Sequence, residues 1–264
     1  MQHINLEHLN PSQLLGLFQE SAKRLRDLGF LSYASDGLYT QLSASFLNED
    51  FEELYDRCVL ADTRSCLGNF PDTRDKAFRW RLHILLVAAQ YALKKSAIFL
   101  DLGCGSGMIA SALLQSHYNN MILNNVEYHM FDSYSGAEDG DNSSTNFYST
   151  DDGAFEMASS IAESHNAVVK LHRGYLPKAL ISLDIESLRR VSFISLDLNA
   201  ANPEINSLKY IINYLPSGCI IILDDFRFPG SKEQNRLHSI FCKNLGLPLF
   251  HLPTGQGLII IGEK

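Results

Sequence analysis

Three glycines and five aspartates carry most of the chemistry this chain offers. Asp101-Leu-Gly-Cys-Gly-Ser-Gly107 closes the apolar run Ala97–Leu102 and precedes a helical one, Met108–Tyr118. Glycines in such a turn let the backbone approach a ligand and let the helix pack on the strand. A dinucleotide fingerprint needs G-x-G-x-x-G. Here Gly103, Gly105 and Gly107 make G-x-G-x-G, and the sixth position is Met108. The turn therefore suits a ligand with no pyrophosphate, and Asp101, which would repel a phosphate, suits an ammonium group. Four further acids end apolar runs: Asp132 after Tyr128-His-Met-Phe131, Asp197 in Phe193-Ile-Ser-Leu-Asp197, and Asp224 and Asp225 in Ile220-Ile-Ile-Leu-Asp-Asp225. Open α/β sheets bind their ligands at the carboxyl ends of their strands.

The elements that must position these residues follow from periodicity. The first ninety or so residues read as helical: Asn10-Pro11 starts a run with Leu14, Leu15, Phe18, Ala22, Leu25 and Leu28, which Gly29 ends. A second helix is expected over Asp50–Cys58. A third starts at Asp72 or Thr73, with Phe78, Leu82, Leu85, Leu86 and Ala89 on one face. From Ala97, short apolar runs alternate with helices: Ala97–Leu102, Glu127–Phe131, Ala167–Leu171, Val191–Leu196 and Cys219–Leu223. Such runs predict a parallel sheet covered on both faces, a doubly wound, Rossmann-like α/β fold. Asn202-Pro203 opens the helix after the fourth strand. Ser231 and Gln234 form a capping box for the helix after the fifth, which Gly246 closes. Leu247–Leu252 and Gly257–Gly262, separated by four residues, predict an antiparallel hairpin. The polar stretch Ser133–Gly153 is a lid or a disordered loop. The 264 residues divide into an N-terminal helical extension, 1–94, and a ligand-binding domain, 95–264.

D-x-G-x-G-x-G at the end of a first strand resembles the S-adenosylmethionine site of class I methyltransferases. The resemblance implies a seven-stranded sheet of order 3-2-1-4-5-7-6 with strand 7 antiparallel. It implies a cofactor site built from Asp101, Gly103, Gly105, Ser106, Gly107, Asp132 and Ser133, with Asp132 on the ribose hydroxyls. In that order the fourth and fifth strands are neighbours, about 4.8 Å apart, which brings Asp197, Asp224 and Asp225 together. Three unpaired acids repel one another and raise at least one pKa, and a hard cation removes the repulsion. All-oxygen ligands favour Mg²⁺, with Mn²⁺ or Ca²⁺ as substitutes, over Zn²⁺. The other reading has Asp224 or Asp225 capping the next turn and Asp197 on the cofactor.

Residues 97–264 also resemble a narrower group, the macrocin O-methyltransferase-like (TylF-type) metal-dependent enzymes, which act on sugars and natural products. The matching segments are Asp132-Ser-Tyr-Ser-Gly136, Asp197-Leu-Asn-Ala-Ala-Asn-Pro-Glu204, Leu223-Asp-Asp-Phe226 and Leu252-Pro-Thr-Gly-Gln-Gly257. This resemblance implies Asp197, Asp224 and Asp225 as metal ligands and Asp197 and Asn199 as catalytic positions. Asn199 departs from the pattern, which has an aspartate as proposed base there. An amide accepts no proton, so Asp197 takes the role, or the metal acidifies the hydroxyl enough for another base or water. The implied reaction is methyl transfer to a hydroxyl of a sugar or natural-product small molecule. The rivals are a metal-independent N- or C-methyltransferase and a silent S-adenosylmethionine-binding scaffold, which Asn199 favours.

Several weaker signals carry two readings each. His172 and His251, at strand ends, are candidate bases, while His129 and His238 lie on a strand and a helix. Arg173-Gly-Tyr-Leu-Pro177 falls where the family contacts adenine, with Tyr175 equally a core or surface residue. Gln256 lines the site or shapes a turn. The helix carrying Arg79, Trp80 and Arg81 covers the cofactor or forms a subunit contact, with Trp80 an ordinary packed residue.

Composition narrows the partners. Lys plus Arg total 22 against 30 Asp plus Glu, a net charge of −8 that argues against binding duplex nucleic acid. The start lacks the basic and apolar regions of a secretory signal. The window Leu82–Leu93, broken by His83 and Gln90, is short of the roughly 20 apolar residues of a membrane span. Five scattered cysteines with no Cys-x-x-Cys pair read as reduced thiols. A cytoplasmic protein with a small-molecule partner is expected, and a homo-oligomer is compatible with the chain.

Overall fold

The computed structural model describes residues 20, 32–33, 39–40, 49–55, 57–58, 73–116, 119–135, 153–227 and 231–263. Its centre is one sheet of seven strands: β1 (Ala97–Leu102), β2 (Val126–Asp132), β3 (Val169–Arg173), β4 (Val191–Leu196), β5 (Ile220–Leu223), β6 (Leu249–His251) and β7 (Gly257–Ile260). The order is β3-β2-β1-β4-β5-β7-β6. The first five strands pair in parallel, and β7 is antiparallel to β5 and β6. This is the doubly wound fold expected from the alternation of strands and helices, hairpin included. A two-residue ladder, Ser32–Tyr33 with Tyr39–Thr40, stands apart from the sheet.

Eight α-helices are described, α1 (Glu49–Tyr55), α2 (Thr73–Tyr91), α3 (Met108–Gln115), α4 (Asn119–Asn125), α5 (Ala154–Ser164), α6 (Ile185–Leu188), α7 (Ala201–Ile211) and α8 (Lys232–Leu245), with a short 3-10 helix at Lys178–Ser182. Both central strands are buried at all six positions, because each face of the sheet has its own cover. Phe99 and Phe193 join Leu82, Leu85 and Ala89 of α2, Tyr55 of α1 and Leu113 of α3. Ile98, Leu100 and Ile194, one position out of phase, join Leu208 of α7 and Phe241 of α8. Side chains alternate across a strand, so a wholly apolar run feeds both layers. Helices α1 and α2 thus share a core with the sheet.

Local expectations were met unevenly. Gly246 ends α8 with φ 64°, the left-handed cap that glycine adopts without strain. The Ser231–Gln234 capping box is absent. Ser231 makes no side-chain cap bond, and Gln234 turns inward to donate to Glu204 Oε1 at 3.1 Å, since a buried carboxylate needs donors more than an exposed helix start does. Strand β3 runs two residues later than expected, α3 stops at Gln115 and α7 begins at Ala201, ahead of Pro203. The helix expected over Pro11–Leu28 (Glu20 excepted), residues 136–152 of the loop, and Cys66 lie outside the described residues. Among the described residues no helix is long and apolar enough to cross a membrane.

Candidate functional site

The glycine turn is held by strand β2. The N–H groups of Gly103 and Cys104 both donate to the Phe131 carbonyl, at 2.8 and 3.1 Å. Asp132 then accepts from Gly105 N at 3.0 Å and from Tyr134 N at 2.9 Å. Gly103, Gly105 and Gly107 take φ of 94°, 50° and 82°, a region costly for residues with a Cβ. Space differs among them. A Cβ on Gly103 would lie 1.9 Å from the Asp197 carbonyl oxygen, and one on Gly107 would lie 2.9 Å from Ile161 Cδ1. One on Gly105 would meet nothing within 4 Å. Gly105 is therefore the open floor of a backbone-lined cradle, and Gly103 joins that cradle to the loop after β4.

Beneath the turn, Asp101 is fully buried. Its Oδ2 accepts from the Tyr128 hydroxyl at 3.1 Å, and its Oδ1 has no hydrogen-bond partner among the described residues. Burial, against the Tyr128 bond, pushes its pKa up to about 7. Burial also holds the Cys104 thiol well above its ordinary value, which favours the protonated thiol over the thiolate. Ser106, Gly107 and Ser111 line a cavity of about 280 Å³ with Arg57 and Ser160. Ser133, half-buried, accepts from Ser135 N at 3.3 Å.

Beside the turn, the three expected acids converge. Asp197 N donates to Leu102 O at 2.8 Å and Asp224 N to Leu196 O at 3.0 Å. These bonds carry the parallel ladder one step past the strand ends, so register alone lines up the carboxylates. One oxygen from each of Asp197, Asp224 and Asp225 lies within 4.8 Å of the others. Arg81, from α2, enters this cluster and is 7% exposed. Its Nε donates to Asp224 Oδ1 at 3.2 Å and its Nη2 to the Asp224 carbonyl at 2.7 Å and to Asp225 Oδ1 at 2.8 Å. The same Nη2 pairs closely with Asp224 Oδ2. Gln256, fully buried, donates to Asp224 Oδ1 at 2.7 Å and is fixed in turn by Thr254 Oγ1 at 2.8 Å. Gln256 thus packs into the acid cluster.

One guanidinium does not neutralise three acids. Asp197 Oδ1 is buried without a hydrogen-bond partner among the described residues. Burial first, then the charges of Asp224 and Asp225, hold its carboxyl well above the usual range against the pull of Arg81. Asp225 is raised as well, by burial, although Arg81 opposes the shift. Asn199, half-buried, takes φ 54°, a left-handed conformation that asparagine tolerates.

Two supports escaped the sequence reading. Glu204 Oε1 accepts from Leu198 N at 3.2 Å, tying α7 back to the loop that carries Asp197. Its Oε2 meets the buried His238 Nε2 at 2.7 Å. Arg81 was named only as part of a covering helix. It lies four residues before Leu85 and eight before Ala89, at the edge of the buried stripe, and an arginine at that spacing was the available signal. The candidate histidines have other partners: His172 Nε2 meets His129 Nδ1 at 2.9 Å and its Nδ1 meets Ser182 at 3.1 Å. His251 Nδ1 lies 3.3 Å from Arg227. Tyr175 is half-buried, and Trp80, also half-buried, sets its ring against that of His83.

The residues fit the two groups the sequence implied. The open Gly105 cradle and the orphaned Asp101 Oδ1 suit a ligand carrying an ammonium group. Three carboxylates with an unpartnered buried oxygen suit a hard cation.

No family model matches the chain, and neither does any curated protein. Solved methyltransferases share its fold. Calicheamicin methyltransferase CalS11 is 15% identical with a TM-score of 0.54, covering 100% of this chain and 99% of that one. A second CalS11 structure, described as an apo TDP-rhamnose 3'-O-methyltransferase of calicheamicin biosynthesis, is 15% identical with a TM-score of 0.56, covering 85% and 97%. The O-methyltransferase NovP is 10% identical with a TM-score of 0.50, covering 69% and 80%. At these identities the likeness is one of fold.

Proposed function

We propose that this chain is an S-adenosylmethionine- and Mg²⁺-dependent O-methyltransferase that acts on a hydroxyl of a sugar or natural-product small molecule. One observation carries the reading: the position of a Cβ on Gly103 falls 1.9 Å from the Asp197 carbonyl. The cofactor-type cradle and the acid cluster are therefore a single site at one end of the sheet. The fold shared with CalS11, described as a TDP-rhamnose 3'-O-methyltransferase, supports the substrate class, and the fold shared with the O-methyltransferase NovP supports transfer to oxygen.

The cofactor would supply a methyl group on a sulfonium, and the divalent ion, held by Asp197, Asp224 and Asp225, would supply a Lewis acid that acidifies a hydroxyl. The protein's own part is positioning. Asp132 clamps the turn through Gly105 N and Tyr134 N, leaving lone pairs for a diol, and Asp101 Oδ1 faces the need of an ammonium group. Gln256 fixes the rotamer of Asp224. Asn199 cannot take the hydroxyl proton, so it passes to Asp197 or to water.

The test is formation of S-adenosylhomocysteine from a panel of vicinal diols and sugar nucleotides. Exhaustive chelation should lower the rate by about 100-fold, and Mg²⁺ should restore it. Asp197→Asn should lose at least as much. Full turnover after chelation would leave the second reading, a metal-independent N- or C-methyltransferase, which the guanidinium among the acids favours.

A further inference from the structure

Arg81 lies where a divalent ion would have to bind. Its Nη2 contacts Asp224 Oδ2 and Asp225 Oδ1 together, two of the oxygens a metal needs. Its Nε holds the other Asp224 oxygen. A cation bound to those oxygens at about 2.1 Å leaves no room for the guanidinium, and the two positive charges repel in a site shielded from water. The rest of the helix has no need to move. Gln256 Nε2 reaches the Arg81 carbonyl at 3.4 Å while bonding Asp224, and Leu82, Leu85 and Ala89 anchor α2 to the sheet.

We propose that Arg81 is a built-in counter-cation that occupies the carboxylate cluster when no metal is bound and must swing out for a divalent ion to enter. The inference rests on the reading of Asp197, Asp224 and Asp225 as a metal site. It assigns to α2 a further role: the helix keeps the metal-free cluster neutral enough to stay packed, and it sets the apparent metal affinity. A ligand that binds only the Arg81-out state loses affinity in proportion to how rarely that state is populated.

The test uses the full chain with Mn²⁺ alone as probe, followed by electron paramagnetic resonance. Arg81→Met should bind Mn²⁺ at least about ten-fold more tightly than wild type, because the competing state is gone. Arg81→Lys, which keeps a charge but not the fork, should fall between. Equal or weaker binding by a folded Arg81→Met protein overturns the inference while leaving the metal reading intact. No Mn²⁺ on either protein removes both. Should Arg81→Met fail to fold, Arg81→Gln, which keeps polarity but not the charge, takes its place: it should also bind Mn²⁺ more tightly than wild type, and equal or weaker binding by that folded variant overturns the proposal.

Discussion

Asp101 shows how a single residue can couple stability, pH and binding. Its pKa rises from an ordinary 3.8 to about 7 on burial, so between those values the folded chain holds a proton the unfolded chain has lost. Stability falls with pH wherever the folded state binds more protons. The contribution is thus complete below about pH 4 and lost as pH rises through about 7, on the order of 4 kcal/mol at 1.36 kcal/mol per unit. Asp101→Asn should flatten the melting profile between pH 5 and 8 and raise the melting temperature at pH 8. A profile as steep as wild type would mean that other groups set the slope. S-adenosylhomocysteine, which carries the ammonium, should protect the wild type more at pH 8 than at pH 5, and the asparagine variant equally at both.

The turn and its two flanking loops behave as one element, and two glycines separate its structural from its ligand-facing part. Gly103→Ala drives a methyl group into the Asp197 carbonyl. Overpacking against backbone together with the positive φ should cost about 3 kcal/mol or more, visible in urea unfolding. Gly105→Ala meets no atom within 4 Å, so only the left-handed backbone is penalised, by about 1–2 kcal/mol. That variant should fold yet bind S-adenosylhomocysteine weakly by calorimetry, since its methyl group stands in the cradle. Equal stability losses in the two variants would contradict this division. On the other side of the acids, Glu204 plays the corresponding part, joining the Leu198 N–H, Gln234 and His238 so that α7 and α8 brace the loop of Asp197.

At the scale of the molecule, α2 is both a layer of the core and a wall of the site. Leu85 is 3% exposed and packs in the same cluster as Phe99 and Phe193. Leu85→Ala should cost about 2–5 kcal/mol in chemical unfolding, and by loosening the helix it should also weaken the hold of Arg81 on Asp224. A loss under about 1 kcal/mol would show that the N-terminal layer hardly supports the sheet. Much of this architecture was legible in the sequence. Apolar runs with helices between them are stable only as a sheet covered on both faces, and acids directly after such runs must emerge at its carboxyl edge. Asp132, Asp197, Asp224 and Asp225 were therefore found from pattern alone, because period and strand ends are local properties of the chain. Local pattern could not show which distant groups meet those acids. Arg81 lies 143 residues before Asp224, and Glu204 drew Gln234 out of its expected cap. Buried charges must find partners wherever packing brings them, and only the tertiary structure decided that the cation among these carboxylates is an arginine from the N-terminal helix.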